Sequence, residues 1–364
     1  MPGVPAAVAQ LMDRMRAARA HRAPLQIVGG GTKGFYGEAP RGEPLPLREL
    51  TGITSYDPSE LVVTVRAGTP LAELESALAS KGQCLPFEPP RFAAGGTVGG
   101  MVASGLAGPS RLAAGALRDY VLGLTLLDGR GELLTFGGQV MKNVAGYDVS
   151  RLIAGSWGVL GVVCEVSLKV MGAPPDTATL EYEWDEARAL GEMARWRALP
   201  VPLQASAWCE SRLRIRLAGS RAAVLEARAR LGGTAMGREA AFTFWESVRD
   251  QRHEFFAPAA DELERGTALW RLSVPPTAKP FSLRGRQFIE WGGAQRWWRT
   301  AAPAAEVRAA AAGAGGHATL VRAADKSAGA FAPLSGELMR IHRALKTAFD
   351  PERILNPGRL YADL

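Results

Sequence analysis

The chain changes periodicity along its length. LQIV (25–28), LVVTVRAG (61–68) and the two apolar runs of VLGLTLLDGRGELLTF (121–136) read as strands, the last two joined by a hairpin turn at Asp128-Gly129-Arg130-Gly131. TPLAELESALASKG (69–82) reads as a helix, with Thr69 at the N-cap, Pro70 at the first helical position and Gly82 just past the end. Asp148 is placed to cap a short helix, after which Gly155, Ser156, Gly158 and Gly161 open a β-branched strand, VVCEVSLKV (162–170). Beyond residue 175 the strand-like TATLEYEW, LQASAWC, LRIRLA, LWRLSV and HATLVRA alternate with helical stretches such as DEARALGEMARWRA and SRAAVLEARARLG. Strands interleaved with helices over this length predict an α+β unit.

Two glycine-rich tracts interrupt the pattern. In QIVGGGTKGFYG (26–37), Gly29, Gly31 and Gly34 spell G-x-G-x-x-G directly after a strand. A Rossmann fingerprint needs a helix to start inside that motif, because the pyrophosphate rests on the helix N-terminus. Gly37, Pro40, Gly42, Pro44 and Pro46 break any such helix, and the spacing to Lys33 does not fit a P-loop. What remains is a strand and a turn whose backbone N–H groups converge on one concavity, with Lys33 adding charge; a purely structural hairpin is an equal alternative on this stretch alone. The second tract, PFEPPRFAAGGTVGGMVASGLAG (86–108), is interleaved with Val98, Met101 and Val102, which predicts an ordered functional loop rather than a linker.

Composition narrows the class. With 364 residues, 47% hydrophobic and 22% charged, the chain is an ordinary globular sequence of two or three lobes. The formal charge of +7 comes with Arg-rich stretches that are dispersed, and no nucleic-acid partner is expected. Cys84, Cys164 and Cys209 are far apart and lack His neighbours at ligand spacing, so no metal site is expected, and Cys164 reads as a small core residue. Asp13, Arg14 and Arg16 stand where a secretory signal needs apolar residues, and no run reaches the ~20 apolar residues of a membrane span. A cytoplasmic protein is expected, with peripheral attachment to the inner face of the membrane through partners as the extension of that reading.

Taken in order, VGGGTKG, GGTVGGMVASG, GSWGVLGVV (155–163) and the tail FDPERILNPGRLY (349–361) resemble the vanillyl-alcohol-oxidase-type flavoproteins, or PCMH-type FAD-binding family. KNVAGYDVSRL (142–152) and the short middle region resemble the FAD-binding subunits of bacterial glycolate oxidase (glycolate dehydrogenase) complexes. The resemblance implies an α+β fold: a PCMH-type FAD-binding domain of two α+β subdomains over residues 1–174, a smaller α+β cap for substrate or partner over 175–330, and a C-terminal segment, 331–364, packing back on the FAD domain. It implies FAD as cofactor, held by Gly29, Gly30, Gly31, Thr32, Lys33 and Gly34 at the pyrophosphate. Gly95, Gly96, Thr97, Gly99, Gly100 and Ser104 would line the second side, and Gly158, Gly161 and Val162 would lie near the adenine and isoalloxazine edges. Members that tether FAD often carry a His in the first loop, where Thr32-Lys33 stand here, so non-covalent FAD is expected.

The implied activity is oxidation of glycolate to glyoxylate by hydride transfer to flavin. A larger FAD-containing catalytic subunit and an iron–sulfur subunit would be partners, with electrons passing onward to a quinone. Many 2-hydroxy-acid members carry an H-x-G-D-G-N-x-H-like motif, whereas AGGHATLVRAADK (314–326) offers only His317. The catalytic residues therefore stay unassigned. His317 is a candidate base, Arg322 or Arg271 candidate carboxylate clamps, and Trp291, Trp297 and Trp298 candidates for a substrate wall, against core packing for most of the nine Trp. His253 reads as helix packing within FWESVRDQRHEFF. Two alternatives stand beside the complex: a self-sufficient FAD dehydrogenase for a hydroxy acid such as D-lactate, and a non-catalytic partner-binding scaffold.

Overall fold

The computed structural model describes residues 5–138 and 148–364. The KNVAGY part of the resemblance lies outside them. A five-stranded antiparallel sheet runs in the order Ile53–Asp57, Val62–Arg66, Val162–Lys169, Val121–Leu127, Leu133–Gly137. The 121–127 and 133–137 strands are joined at Asp128–Gly131 as their pattern predicts. Leu71, Leu74 and Leu78 of the Leu71–Ala79 helix recur at three- and four-residue spacing, and they pack with Val63, Val65, Val163 and Val166 into the core on one face of this sheet. On the opposite face, the N-terminal helix Ala6–His21 buries Val8, Leu11 and Met15 against Leu127, Val162 and Cys164. Cys164 is a core residue whose thiol burial pushes up to about 12.

A separate pair, Leu25–Val28 and Glu43–Pro46, is parallel, and the 29–42 segment that joins them carries the first glycine turn. The second tract folds further than its loop reading allows. Val98–Ser104 is helical, with Thr97 Oγ1 accepting from Gly100 N at 3.2 Å. At the 71–79 helix the cap shifts by one residue: Pro70 stands at the N-cap without a side-chain bond, because the Thr69 hydroxyl is already committed to Gly52 N at 2.9 Å.

The eight-stranded antiparallel sheet runs in the order Thr234–Ala235, Asp176–Glu183, Arg212–Gly219, Leu203–Cys209, Arg286–Glu290, Gln295–Thr300, Ala268–Ser273, His317–Arg322. Helices Glu186–Trp196, Arg221–Leu231 and Ala304–Gly313 cover one face, burying Trp196, Trp208, Trp270 and Trp298. Its other face, with Ala207, Phe288, Trp297, Leu269 and Val321, packs against Tyr36 and Leu106 of the glycine tracts. Trp298 thus belongs to the core on the far side of this sheet and is no substrate wall. His253 lies beyond the Arg238–Arg249 helix and caps the short turn after it, its Nδ1 accepting from Phe255 N at 3.3 Å. The tail returns to the first unit, where Leu355 bridges Leu25 in parallel.

Candidate functional site

The two glycine tracts meet back to back. A Cβ on Gly30 would stand 1.6 Å from the carbonyl oxygen of Gly95, and one on Gly29 would stand 2.3 Å from Thr97 Oγ1. No side chain fits between such backbones, so the glycines are needed for the approach itself. Across from that contact, the backbone N–H groups of Gly30, Gly31 and Thr32 donate to no described residue. They face a cleft lined by Gly29–Gly34, Thr97, Gly99, Gly100 and Ser104, with Ser156, Trp157, Gly158, Gly161 and Val163 closing it. Free amides at a glycine turn form an anion-binding nest of the kind a pyrophosphate needs. Lys33 lines the same cleft and makes no ion pair among the described residues, and burial pushes its ammonium down to about 8.

Gly95 and Gly96 support this cleft from behind and are absent from its lining. Val162 faces the N-terminal helix, and its neighbour Val163 takes the lining position expected for it. Successive strand residues face opposite sides of the sheet, so Val163 reaches the cleft where Val162 meets the helix.

The tail supplies two further lining residues, Asn356 and Arg359. Asn356 Oδ1 accepts from Ile27 N and its Nδ2 donates to Trp157 O, both at 2.7 Å, which ties the first strand to the 155–161 turn. Arg359 donates to the carbonyls of Glu38 and of Lys33, the latter at 3.0 Å, and lies 5.1 Å from the Trp157 ring centre. Burial lowers its guanidinium to about 10. Two desolvated cations and a row of free amides gain most from a ligand that brings negative charge. The residues present fit FAD.

His317 and Arg322 are not brought together. They are the first and last residues of one strand, roughly 16 Å apart at the extended rise. His317 stands largely exposed at the strand start, and partial desolvation of its ring, with the charge of Arg271, holds its imidazole below the ordinary value. Arg322 stacks on Phe35 of the first glycine tract at 3.8 Å. Between them, the sheet face toward the FAD cleft carries Arg271 beside Trp297 on one neighbour and Thr319 on the other. Glu290 is buried on the same sheet, its Oε2 accepting from Trp297 Nε1 at 2.7 Å and Gln295 Nε2 at 3.0 Å. Burial outweighs both bonds and pushes its carboxyl up to about 7.

Because the folded chain favours the protonated acid, Glu290 stabilises it most below the ordinary carboxylate range, and this contribution is lost as pH rises through about 7. Unfolding of the wild type and of Glu290→Gln across pH 4.5–7.5 should diverge by roughly 3 kcal/mol, the wild type losing stability relative to the variant as pH increases. Parallel curves would show that Glu290 titrates normally.

Residues 4–137 match the FAD binding domain family. Over 354 residues, 97% of each chain, the sequence is 45% identical to glycolate oxidase subunit GlcE of Escherichia coli K12. The chain belongs to the GlcE family. It is an FAD-dependent oxidoreductase subunit. Glycolate oxidase subunit GlcD of Bacillus subtilis is 31% identical over 190 residues, covering 50% of this chain and 40% of that one. Alkyldihydroxyacetonephosphate synthase shares the fold, at a TM-score of 0.66 and 16% identity over 96% of this chain and 74% of that structure. Relative to that GlcE-family frame, the expected α+β PCMH-type fold and the FAD cofactor stand. No helix among the described residues is long and apolar enough to cross a membrane.

Proposed function

We propose that this chain is the FAD-binding subunit of a complex that oxidises glycolate to glyoxylate, and that it works with a larger FAD-containing subunit and an iron–sulfur subunit. The identity to a GlcE subunit along 97% of both chains carries the reading, and the free-amide cleft between the glycine tracts supports it. In this account residues 1–174 and 331–364 form the FAD domain and its return, and 175–330 form the cap. Gly30, Gly31, Thr32 and Lys33 hold the pyrophosphate, Thr97 and Gly100 flank it, and Asn356 and Arg359 fix the turn that closes the cleft. When bound, FAD supplies the two-electron acceptor for a hydroxy acid. The protein's part is to bind and orient it, to keep water from its reactive edge with the aromatic cap face, and to deliver electrons to partners at the inner face of the membrane.

Among the described residues the cleft lining contains no His, Cys or Tyr, the residue types that would tether a flavin. All of the flavin of the purified chain should therefore appear in the supernatant after acid precipitation. Yellow precipitate would mean a covalent bond, and no flavin in either fraction would favour a scaffold whose pocket is completed elsewhere. Dye-linked glycolate oxidation by the reconstituted complex, lost on omitting this chain and restored by adding it, tests the partner part of the reading.

A further inference from the structure

Tyr36 follows the first glycine turn and is 1% exposed, yet among the described residues its hydroxyl has no hydrogen-bond partner. A buried phenol left unpaired costs about 1–3 kcal/mol, so the group calls for an explanation. Its ring stacks on Trp157 at 5.1 Å and 13°, and Trp157 lines the FAD cleft, so the Tyr36 ring lies one aromatic layer from that cleft. On the other side stands Arg271 of the cap sheet, its guanidinium 5.7 Å from the Tyr36 ring centre. Arg271 makes no ion pair and no side-chain hydrogen bond with any described residue, although most arginines in this interface do.

A second guanidinium adds to the imbalance. Arg111, from the segment after the second glycine tract, lies 4.6 Å over the ring of Trp291 and is likewise without an acidic partner among the described residues. Trp291 is itself fixed by donation to Gly108 O at 3.0 Å. Burial and repulsion from Arg271 lower the Arg111 guanidinium, which places the two cations within reach of each other's field. Two carboxyls bear on them: Asp119 acts on Arg111 without forming an ion pair among the described residues, and Glu290, near Arg271, is held largely protonated below neutral pH by its burial. Two cations without ion pairs among the described residues and an orphaned hydroxyl, drawn from both units beside the FAD cleft, are an arrangement an anion completes.

We propose that Arg271, Arg111 and the Tyr36 hydroxyl form a subsite that binds the carboxylate of a small organic acid at the junction of the cap sheet and the glycine tracts. Arg271 and Arg111 neutralise the charge, and Tyr36 donates to one carboxylate oxygen. The choice of a hydroxy acid as the natural ligand rests on the function proposed above; the anion requirement rests on the three side chains alone.

The test is calorimetric titration of the full-length chain, with its FAD, by oxalate, a carboxylate that is not a 2-hydroxy acid. Saturable binding is expected in the wild type, weakened at least tenfold in Tyr36→Phe and in Arg271→Gln, with Arg271→Lys intermediate. Flavin content and thermal midpoint, measured on the same samples, show that each variant is folded and loaded. Wild-type binding that survives unchanged in folded Tyr36→Phe and Arg271→Gln, or no oxalate binding by flavin-loaded wild type, overturns the subsite. Equal displacement by chloride at the same concentration also overturns it, since a carboxylate fork would then be unnecessary. The readout needs neither turnover nor a partner, so absence of flavin or of glycolate oxidation counts against the proposed function and leaves the oxalate result to judge the subsite.

Discussion

Gly30→Ala should abolish FAD binding and cost about 3 kcal/mol or more of stability. The added methyl would stand 1.6 Å from Gly95 O, and both partners are backbone, so no rotamer change relieves the clash. The tracts must separate, which disperses the amides of Gly30, Gly31 and Thr32. Gly31→Ala makes the contrast. Its Cβ meets nothing within 4 Å, and its φ of +70° costs only the left-handed penalty, about 1 kcal/mol. Urea unfolding and fluorescence titration with FAD check both variants; a Gly30→Ala chain that binds FAD as well as Gly31→Ala would show that the close approach is not what shapes the cleft.

The second large effect is expected at the tail helix, Gly336–Phe349, outside the two glycine tracts. Lys346 is fully buried and donates to Val159 O at 2.8 Å, Leu355 O at 2.7 Å and Asp350 Oδ2 at 2.8 Å. Asp350 in turn accepts from the amides of Ile354 and Leu355. One ion pair thus fastens the tail helix, the turn before Asn356 and the segment that enters the 162–169 strand. Burial lowers the Lys346 ammonium while Asp350 opposes that shift, so the pair is stable only as a unit. Lys346→Met leaves a buried carboxylate and two carbonyls without their donor, and should cost about 3–5 kcal/mol. Loss of flavin should accompany it, because Asn356 and Arg359 are set by that turn. Urea denaturation followed by visible absorbance of the purified variant checks both; full flavin occupancy in a clearly destabilised chain would separate the tail anchor from the cleft.

Strands and helices were legible where one face is buried, because burial imposes the period: Leu71, Leu74 and Leu78 announce their helix, and Val63 and Val65 their strand. The 98–104 helix was hidden by its glycines, the poorest helix formers short of proline, and forms because Thr97 caps it and Ala67 lies close against Gly99. The glycine cleft was legible only from the order of several motifs, since one G-x-G-x-x-G fits more than one fold. Asn356 and Arg359 carried no local signal. Asn356 bonds Ile27, 329 positions away, and only the folded chain brings them together. Tyr36 escaped, and Arg271 stood out only as one candidate clamp beside Arg322, for a related reason: an unpaired hydroxyl and an unpaired guanidinium are properties of an interface between two units, and neither residue type is unusual in its own segment.

The central claim is that the amides and cations between the two glycine tracts hold FAD without a covalent bond. Equilibrium titration of the deflavinated full-length chain with FAD, and in parallel with riboflavin, tests it most directly. One saturable FAD site is expected, with riboflavin, which lacks the pyrophosphate and adenosine, bound at least 100-fold more weakly, and FAD affinity that declines above pH 8 as Lys33 loses its proton. Riboflavin binding as tight as FAD, or no FAD binding by a folded chain, would contradict it.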